Sequence, residues 1–396
     1  MKTKKMMRLS ISILLVFAML FTPLISGIGS NHVSAADDNI LYQYFFKIGQ
    51  ADCFLIVLNG KTMLVDTGSY GTADTVKAFL DKKGITHLDY LVITHYDGDH
   101  IGGLTRVLGQ EEGQKKITVG TFIARKYSSA TLSIMYNKMP QNQSKYTQYR
   151  NYLKLINAIA VNGGESAVFS NISSIPYVID NYPVDTTISK LNTLKDKMGT
   201  KYNWDFPSQG TEKTIYSAAG NSLTATFLHK DTTYLSSKDE PASATTYDGN
   251  INNDSILFQL KHVSNGSTKK FLYVGDMGVS ARSNLATYDA NNSSFSRKSD
   301  VFKVAHHGFE HSTDSDLATA VNPSIAIVTN DDQCEIADNN YFTKLYETWN
   351  IANYVATANR NHDFIAIRLN SNGTSITKFA AYMDGTAQTL GVVPLN

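Results

Sequence analysis

The sequence predicts an α/β protein built on a mixed β-sheet with helices on its outer face. Two observations lead to this class. From about Leu41, short apolar runs typical of strands follow one another closely, and segments of helical length separate some of them. The order in the first part of the mature chain is strand, strand, strand, helix, strand, helix, strand, which implies a mixed sheet.

The N-terminal 36 residues are predicted to be a secretory signal peptide. Basic residues at positions 2, 4, 5 and 8 precede an apolar core, and the small residues Ser34, Ala35 and Ala36 follow it. Cleavage after Ala35 or Ala36 would release a secreted, extracellular protein. An uncleaved anchor is the alternative, because the apolar core is almost long enough to span a bilayer, although Pro23 and two glycines interrupt it. No transmembrane segment is expected after cleavage.

The mature chain begins with strands in quick succession. Asn59-Gly60 is a strong signal for a hairpin turn, so the runs on either side of it are expected to pair. A helix is expected to begin at Thr72 or Asp74 and to end at Gly84. The expected strands are "YQYFFKIG", "CFLIVLNG", "KTMLVDTG", "LDYLVIT" and "ITVGTFIA", with a short helix at "LTRVLG".

Residues from about 127 to 215 are expected to be an insertion in one catalytic domain that covers residues 37–396. This part is rich in Tyr, Asn, Ser and Thr, and one credible helix covers residues 146–164. Strands then resume, followed by a helix near 338–350 and a final hairpin. Two domains divided within 127–215 are the alternative. Similar strand ends on both sides favour a single catalytic unit.

Composition argues against tight binding to polyanions. The full chain has a formal net charge of +1, and removal of the four basic residues of the signal peptide leaves a charge of −3. Non-specific binding to nucleic acid usually needs a basic surface, so nucleic acid is a disfavoured partner. The two cysteines, Cys53 and Cys334, could form one disulfide, although Cys53 lies in a strand pattern typical of the core.

The segment "LVITHYDGDHIGG" holds the densest set of ligand-type side chains. A buried strand is expected over residues 91–93, and His95, Asp97, Asp99 and His100 leave its end close together. Ionisable groups at this density repel one another or stay protonated unless a cation lies between them. A polar turn is the alternative. Two histidines and two aspartates in six positions favour a site for two metal ions.

Three further strand ends carry ionisable residues in the same way. Asp66 follows one apolar run, Asp276 follows a second, and His306 and His307 follow a third. Either aspartate alone would be typical of a turn. Together with the dense segment they indicate side chains that converge along one edge of the sheets, where loops commonly carry function.

These motifs resemble those of the metallo-β-lactamase fold hydrolases, over nearly all of the mature chain. The motifs that carry the resemblance are "VDTG", "THYDGDH", "LYVGD" and "AHHG". Within that superfamily, "FFKIGQADCFLIVLNGKTMLVDTG" is similar to the nuclease-like domain of competence DNA-uptake channel proteins. "KYSS", "NNDSILFQL" and "HHGFEHST" are similar to that domain and to secreted phosphorylcholine esterases. The resemblance implies a four-layer αββα sandwich of two mixed β-sheets, with a Tyr/Asn-rich insertion.

The resemblance also implies a binuclear metal centre. His95 and Asp97 would bind the first ion, Asp99 and His100 the second, and Asp276 would bridge the two. Zn²⁺ or Mn²⁺ is expected, with Mg²⁺ as a further candidate, because the oxygen ligands make the centre hard.

Other members of the motif set have supporting roles. Asp66 would orient the ligands from behind them. One of His306 and His307 would bind metal, and the other would be free to reach a substrate oxygen. Asp99 or Asp276 would accept a proton from the attacking water molecule.

Two features depart from the family pattern. Asp97 stands where the family usually has a histidine, and no histidine matches the usual ligand before "SILFQL". Asn252, Asn253 or Asp254 would substitute for that ligand, or the first site is weak. Asp254, His311 and His362 are candidates for lining the pocket rather than for binding metal.

The leading hypothesis is a secreted, binuclear metal-dependent phosphodiesterase in which the metal ions activate water. The alternatives are a nuclease for extracellular DNA, a phosphorylcholine esterase, a lactonase, a β-lactam hydrolase, and a non-catalytic scaffold with a degenerate centre. The substrate is therefore expected to be a phosphodiester or another small ester.

Two substrate-recognition hypotheses rest on the insertion and its surroundings. A quaternary ammonium group such as choline needs an aromatic cage, for which the candidates are Tyr146, Tyr149, Tyr152, Tyr202, Trp204 and Phe206. A nucleic-acid groove needs basic side chains, for which the candidates are Arg125, Lys126, Lys138 and Lys145. A tyrosine-rich surface or a packed insertion core is the simpler alternative.

Overall fold

A computed structural model describes residues 39–111, 113–137, 143–170, 172, 182–232, 252–308, 312–330, 354–357, 362–370, 373–384 and 386–395. The predicted signal peptide, the predicted helix near 338–350, and the residues Lys138, His311 and Cys334 lie outside these ranges.

The strands and helices of the described chain are numbered in chain order. The strands are β1 Tyr42–Phe46, β2 Phe54–Leu58, β3 Lys61–Val65, β4 His87–Ile93, β5 Thr118–Ala124, β6 Trp204–Asp205, β7 Glu212–Ala218, β8 Asn221–Phe227, β9 Phe258–Ser264, β10 Ser267–Tyr273, β11 Val301–Lys303, β12 Ile325–Val328, β13 Tyr354–Ala356, β14 Phe364–Leu369, β15 Ser375–Ala381 and β16 Ala387–Pro394. The α-helices are α1 Ala73–Lys82, α2 Gly98–Ile101, α3 Leu104–Val107, α4 Ser129–Asn137, α5 Gln143–Asn162, α6 Val184–Met198, α7 Val279–Asn291 and α8 Ser315–Val321.

Two mixed sheets form the centre of the described structure. The first has the strand order β16-β15-β14-β1-β2-β3-β4-β5-β6, and its neighbours from β3 to β6 run parallel while the others run antiparallel. The second has the order β13-β12-β11-β10-β9-β8-β7, with parallel neighbours from β10 to β13. The predicted mixed-sheet class is therefore confirmed.

Three apolar cores separate the layers of the fold. The core between the sheets contains a row of stacked rings, with centroid distances of 5.1 Å for Phe45–Phe54, 4.9 Å for Phe54–Tyr273 and 5.0 Å for Phe258–Tyr273. A second core lies between the first sheet and α1, α3 and α5, and a third lies between the second sheet and α7 and α8. Each large apolar side chain buried in this way contributes about 1.5–3 kcal/mol. These layers form the expected αββα sandwich.

At two predicted positions, a hairpin turn and a helix end, the backbone has the conformation that the residue types favour. Asn59 and Gly60 both have positive φ, +47° and +78°, which is the backbone of a tight hairpin turn. Helix α1 ends before Gly84, whose φ of +67° lets its N–H return to the carbonyl of Asp81 at 2.9 Å.

The region predicted to be an insertion contains more regular structure than the sequence indicated. The helix expected over residues 146–164 is confirmed as α5. Helix α6 and the strands β6 and β7 were not predicted. Helix α6 carries apolar residues with helical spacing, but Ser, Thr and Asn between them hide the pattern. The insertion boundaries and the single catalytic domain stay predictions.

None of the helices in the described ranges is both long and apolar enough to cross a lipid bilayer.

Candidate metal centre

Loops from both sheets meet at one edge of the sandwich. The predicted ligands and Asp66 lie in the segments that follow β3, β4, β10 and β11, with Asp99 and His100 in the short helix α2. Because β3 and β4 are parallel to each other, and β10 and β11 likewise, each pair places its loops at one end of its sheet. A backbone hydrogen bond of 2.8 Å from Ile256 N to Thr94 O ties the loops of the two sheets together.

Asp276 lies in the middle of the predicted ligands. Its Oδ2 atom is 3.1 Å from Nε2 of His100 and 3.5 Å from Nε2 of His307. The same oxygen is 3.7 Å from Nε2 of His306 and 3.8 Å from Nε2 of His95. Four imidazole nitrogens from both sheets therefore face one buried carboxylate oxygen.

Asp66 holds His100 from the side away from Asp276. Its Oδ2 accepts hydrogen bonds from Nδ1 of His100 at 2.8 Å and from Oγ1 of Thr94 at 2.7 Å, and its Oδ1 accepts from Thr94 N at 2.8 Å. Asp66 is fully buried and has a left-handed backbone, with φ +57°, which such hydrogen bonds must hold in place. Because Nδ1 of His100 donates outward, its Nε2 lone pair faces the centre.

The two adjacent histidines have different positions. His307 is buried, its Nδ1 donates to the backbone carbonyl of Thr329 at 2.9 Å, and its Nε2 lies 3.2 Å from Oδ2 of Asp99. The side chain of His306 is 31% exposed, and its Nδ1 lies 3.2 Å from Oγ of Ser312. His307 is therefore enclosed among the ligand-type residues, whereas His306 stands at their rim.

Four of the ligand-type residues form one compact group. Single donor atoms of Asp99, His100, Asp276 and His307 all lie within 4.8 Å of one another. Within this group, Nε2 of His100 and Nε2 of His307 lie 3.9 and 3.2 Å from Oδ2 of Asp99, separations that suit donors sharing one metal ion.

His95 and Asp97 form a second pair beside this group. Nε2 of His95 lies 3.5 Å from Oδ2 of Asp97, whose side chain is 25% exposed. The other carboxylate oxygen of Asp97, Oδ1, accepts a hydrogen bond from Nε2 of Gln148 in α5. Sequence reasoning missed Gln148, because a glutamine in a helix 51 positions away gives no sign of contact with the ligand loop.

The residues before β9 that could replace the missing histidine ligand have different surroundings. Asn252 is buried, and its Nδ2 lies 3.5 Å from Nε2 of His306, so this side chain lies beside the centre. The Oδ1 atom of Asn253 instead accepts from Ala281 N at 2.8 Å and binds the first turn of α7.

The structure describes two of the three predicted pocket residues. Asp254 is buried, and its backbone carbonyl accepts from Nε of Arg125 at 2.8 Å. Burial, assisted by the Asp254 carboxylate, raises the pKa of Tyr127 well above its ordinary value. His362 is buried just before β14, and His311 lies outside the described residues. Their role in a pocket stays a prediction.

A buried ion pair that the sequence did not suggest lies behind the histidines. Asp52 binds Nζ of Lys303 through Oδ2 and accepts from the hydroxyl of Thr329 through Oδ1. Its carboxylate is also 3.4 Å from Nδ1 of His307 and 4.0 Å from Nδ1 of His100. Lys303 ends the otherwise apolar strand β11 and is fully buried, a position where a lysine needs a partner.

The centre has a strongly negative environment that favours positive charge. Burial alone would lower the pKa of His100, but the carboxylates of Asp276 and Asp66 raise it well above its ordinary value. Burial likewise opposes charge on His307, yet Asp276 and Asp52 raise its pKa to about 9. Burial would raise the pKa of Asp276, but His100 and His307 hold it well below its ordinary value.

The residues fit divalent metal ions. Nε2 of His95 and Oδ1 of Asp276 are buried and have no hydrogen-bond partner among the described residues. Unsatisfied buried polar atoms are costly, so such atoms at the meeting point of several donors indicate a ligand. Imidazole nitrogens together with carboxylate oxygens are a donor set that Zn²⁺ and Mn²⁺ accept.

The aromatic residues of the predicted insertion mainly build a core. Tyr149, Tyr152 and Trp204 are buried in the core that packs on the first sheet, and Tyr202 packs against it. Phe206 lies under the guanidinium of Arg125, 4.9 Å from it. This arrangement favours the packed-core interpretation over an open aromatic cage. The side chain of Tyr146 is outside the described part.

The two basic candidates for a nucleic-acid groove whose side chains the structure describes are engaged within the fold. Arg125 is buried and donates to the backbone carbonyl of Lys230 at 3.1 Å. Nζ of Lys126 donates to the carbonyl of Trp204 at 2.6 Å. The side chain of Lys145 is not among those described.

Part of this sequence is similar to known proteins. Residues 47–114 match the family model described as the Metallo-beta-lactamase superfamily. A 76-residue segment is 32% identical to Beta-lactamase-like protein 2 homolog of Caenorhabditis elegans, and it covers 19% of this chain and 26% of that relative. The chain thus spans about a quarter of the length of the curated relative it matches.

Solved structures with a similar arrangement include two metalloenzymes. Igni18, a metallo hydrolase of the hyperthermophilic archaeon Ignicoccus hospitalis, is 12% identical with a TM-score of 0.38, covering 83% of this chain and 98% of that one. Rm3 metallo-beta-lactamase is 12% identical with a TM-score of 0.33, covering 72% of this chain and 81% of that one.

Proposed function

We propose that the chain, whose residues 47–114 match the model of the Metallo-beta-lactamase superfamily, is a secreted hydrolase that uses two divalent metal ions to cleave phosphodiesters. The observation that carries this proposal is the meeting of four histidine Nε2 atoms, from loops of both sheets, around Oδ2 of Asp276.

Two groups of ligands would hold the two ions. Asp99, His100 and His307 would hold one ion at what we call the enclosed position. His95 and Asp97 would hold the other at what we call the open position.

Asp276 would contact both ions, because its Oδ2 faces the histidines of both groups. Asp66 would fix the ring of His100 without touching either ion.

When bound, the two ions would lower the pKa of a water molecule and neutralise charge that develops on the substrate. The residues of the chain supply the remaining functions. Asp99, which is partly exposed, would accept a proton from the attacking water. His306, at the rim, would donate a hydrogen bond from Nε2 to a substrate oxygen when Ser312 donates to its Nδ1.

The chemistry of the donor set supports phosphodiesters as the substrate class. Three carboxylates in the centre favour hard ions such as Mn²⁺ or Mg²⁺, which pair well with phosphate oxygens. Pairs of metal ions are suited to stabilising the attacking and leaving oxygens of phosphoryl displacement. The net charge of the mature chain favours a small phosphodiester over a long polyanion.

The test of this activity is a substrate panel with the purified mature protein. After chelation and addition of Mn²⁺, Zn²⁺ or Mg²⁺, the protein would be assayed on bis(p-nitrophenyl) phosphate, p-nitrophenyl phosphorylcholine, single-stranded DNA, a lactone and a β-lactam. We expect metal-dependent cleavage of a phosphodiester. Cleavage of the lactone or the β-lactam alone would contradict the substrate class, and absence of any bound metal would contradict the proposal as a whole.

Secretion has its own test. Expression of the full chain in a secreting host should release a protein whose N-terminus follows Ala35 or Ala36. N-terminal sequencing of the released protein checks this result. A full-length chain that stays with the membrane fraction would contradict secretion.

A further inference from the structure

Helix α5 contacts the ligand loop through two side chains one turn apart. Nε2 of Gln148 donates to Oδ1 of Asp97, and Nδ2 of Asn151 donates to the backbone carbonyl of Tyr96 at 2.8 Å. Residues three positions apart share a helix face, so both amides point to the same loop. Gln148 is 4% exposed and Asn151 is 1% exposed, so water competes little for these hydrogen bonds.

The helix that presents these amides is itself firmly packed. The hydroxyl of Tyr149 donates to Oγ1 of Thr187 in α6 at 2.8 Å. The ring of Tyr152 packs edge-on against the ring of Tyr96, with centroids 5.3 Å apart. Gln148 therefore reaches Asp97 from a rigid support rather than from a mobile loop.

The hydrogen bond selects one orientation of the Asp97 carboxylate. Because Oδ1 is held by Gln148, the other oxygen, Oδ2, faces Nε2 of His95 at 3.5 Å. The terminal torsion of an aspartate has a broad energy minimum, so a partly exposed carboxylate without such a partner can rotate. Rotation would remove Oδ2 from the open position.

We propose that Gln148 is a positioning residue that presents Oδ2 of Asp97 to the metal ion at the open position, so that the insertion helix is part of the metal centre. This inference rests on the proposed function. It assigns to α5 a role that the ligand motifs do not contain.

The test compares Gln148→Met with a matched control, Gln110→Met. Met keeps the length of the side chain and removes the donor. Gln110 also uses its amide on α5, donating to the carbonyl of Ala158 at 3.0 Å, but that contact lies ten positions further along the helix, about 15 Å away. Mn²⁺ and Zn²⁺ binding to the metal-free mature proteins would be measured by calorimetry and by metal analysis after dialysis.

We expect Gln148→Met to keep one tightly bound equivalent and to bind the second at least about tenfold more weakly. Gln110→Met should bind both ions as the unaltered protein does. Thermal melting of the metal-free proteins checks that each variant folds. If the Met variant does not fold, Gln148→Glu, which keeps the shape but lacks the amide donor, should weaken binding of the same second ion.

A double substitution separates positioning from general support of the fold. In an Asp97→Ala background, Gln148→Met should cause no further loss of metal affinity, because the group it positions is gone. Equal metal binding by Gln148→Met and the unaltered protein would overturn the inference, and so would an additional loss in the Asp97→Ala background. If the unaltered protein bound no metal, the proposed function would fail instead.

Discussion

The enclosed and open positions of the centre are built in different ways. At the enclosed position, His100 and His307 are both buried, and their outer nitrogens bind Asp66 and the carbonyl of Thr329. At the open position, Asp97 takes its orientation from an amide of the insertion helix. The Asp97 side chain is 25% exposed and that of Asp99 at the enclosed position is 30% exposed, so the positions differ in what orients their ligands rather than in the exposure of their carboxylates.

This difference separates what the two sheets fix from what the insertion adds. Ligands oriented by buried groups of the sandwich need little reorganisation when an ion binds, which favours affinity. Ligands oriented by a single side chain of an added helix can be retuned without changing the sandwich. We therefore expect the enclosed position to bind its ion more tightly and the open position to vary more readily.

The largest effect is expected where the two positions meet. Asp276→Ala removes the carboxylate that faces both groups of histidines. Metal ions contribute several kcal/mol to transition-state stabilisation, so the hydrolytic kcat/KM should fall by about three orders of magnitude or more. Metal analysis of the same variant should show loss at both positions. Retention of two tight equivalents would show that Asp276 does not join them.

The next effect concerns the support of the enclosed position. Lys303→Met removes the lysine of the buried pair and leaves the His307 ring, 3.4 Å away, as a remaining cationic neighbour of Asp52. Breaking a buried pair costs up to about 3–5 kcal/mol of stability, and we expect a loss at the lower end of that range. Denaturant unfolding of the metal-free protein measures this loss. Adding Asp52→Asn should recover much of it.

A surface pair provides the matched control for that prediction. Lys61 binds Asp89 at 2.7 Å, but the Lys61 side chain is 49% exposed. Lys61→Met should therefore cost at most about 1 kcal/mol. Similar losses for Lys303→Met and Lys61→Met would mean that the buried pair stabilises the fold no more than an exposed pair does.

A smaller effect should distinguish the two positions directly. Asp66→Asn weakens the hold on His100 and should lower affinity at the enclosed position by about 10–100-fold, while the open position keeps its affinity. Calorimetric titration with Mn²⁺ separates the two events. If the affinity falls equally at both positions, the proposed difference between the two positions is wrong.

The smallest effect is expected at the rim. His306→Gln should lower kcat by about tenfold or more while both metal equivalents remain, because His306 would serve the substrate rather than an ion. His307→Gln is the paired variant and should lose metal at the enclosed position. Loss of metal from His306→Gln would reverse the assignment of the two histidines.

The sheets and the meeting of the ligand loops were predictable from the sequence because they depend on local patterns. Apolar runs that end in Asp66, Asp276 or the 95–100 segment identify strands and the loops after them. Parallel neighbours then bring those loops to one edge. The sequence pattern carries enough information for this step without any knowledge of side-chain contacts.

Other parts of the centre depend on contacts that no local pattern reports. Asp52 lies in an ordinary polar segment between two strands, and its partner Lys303 is 251 positions away. Nor could the sequence separate His306 from His307, because they are neighbouring residues of the same type. Their backbones do not separate them either, since both are left-handed. Only the burial of His307 and its bond to Thr329 separate them.

The composition of the enclosed position has a consequence for how long the folded protein survives. Asp99 and His100 come from the first sheet, whereas Asp276 and His307 come from the second, so an ion shared by them would act as a cross-link between the two halves of the sandwich. A ligand that binds only the folded state adds about 1.4 kcal/mol of stability for each tenfold rise in its concentration above Kd. The lifetime of the folded protein would then follow the supply of divalent cations around it, and metal-sequestering agents would shorten it.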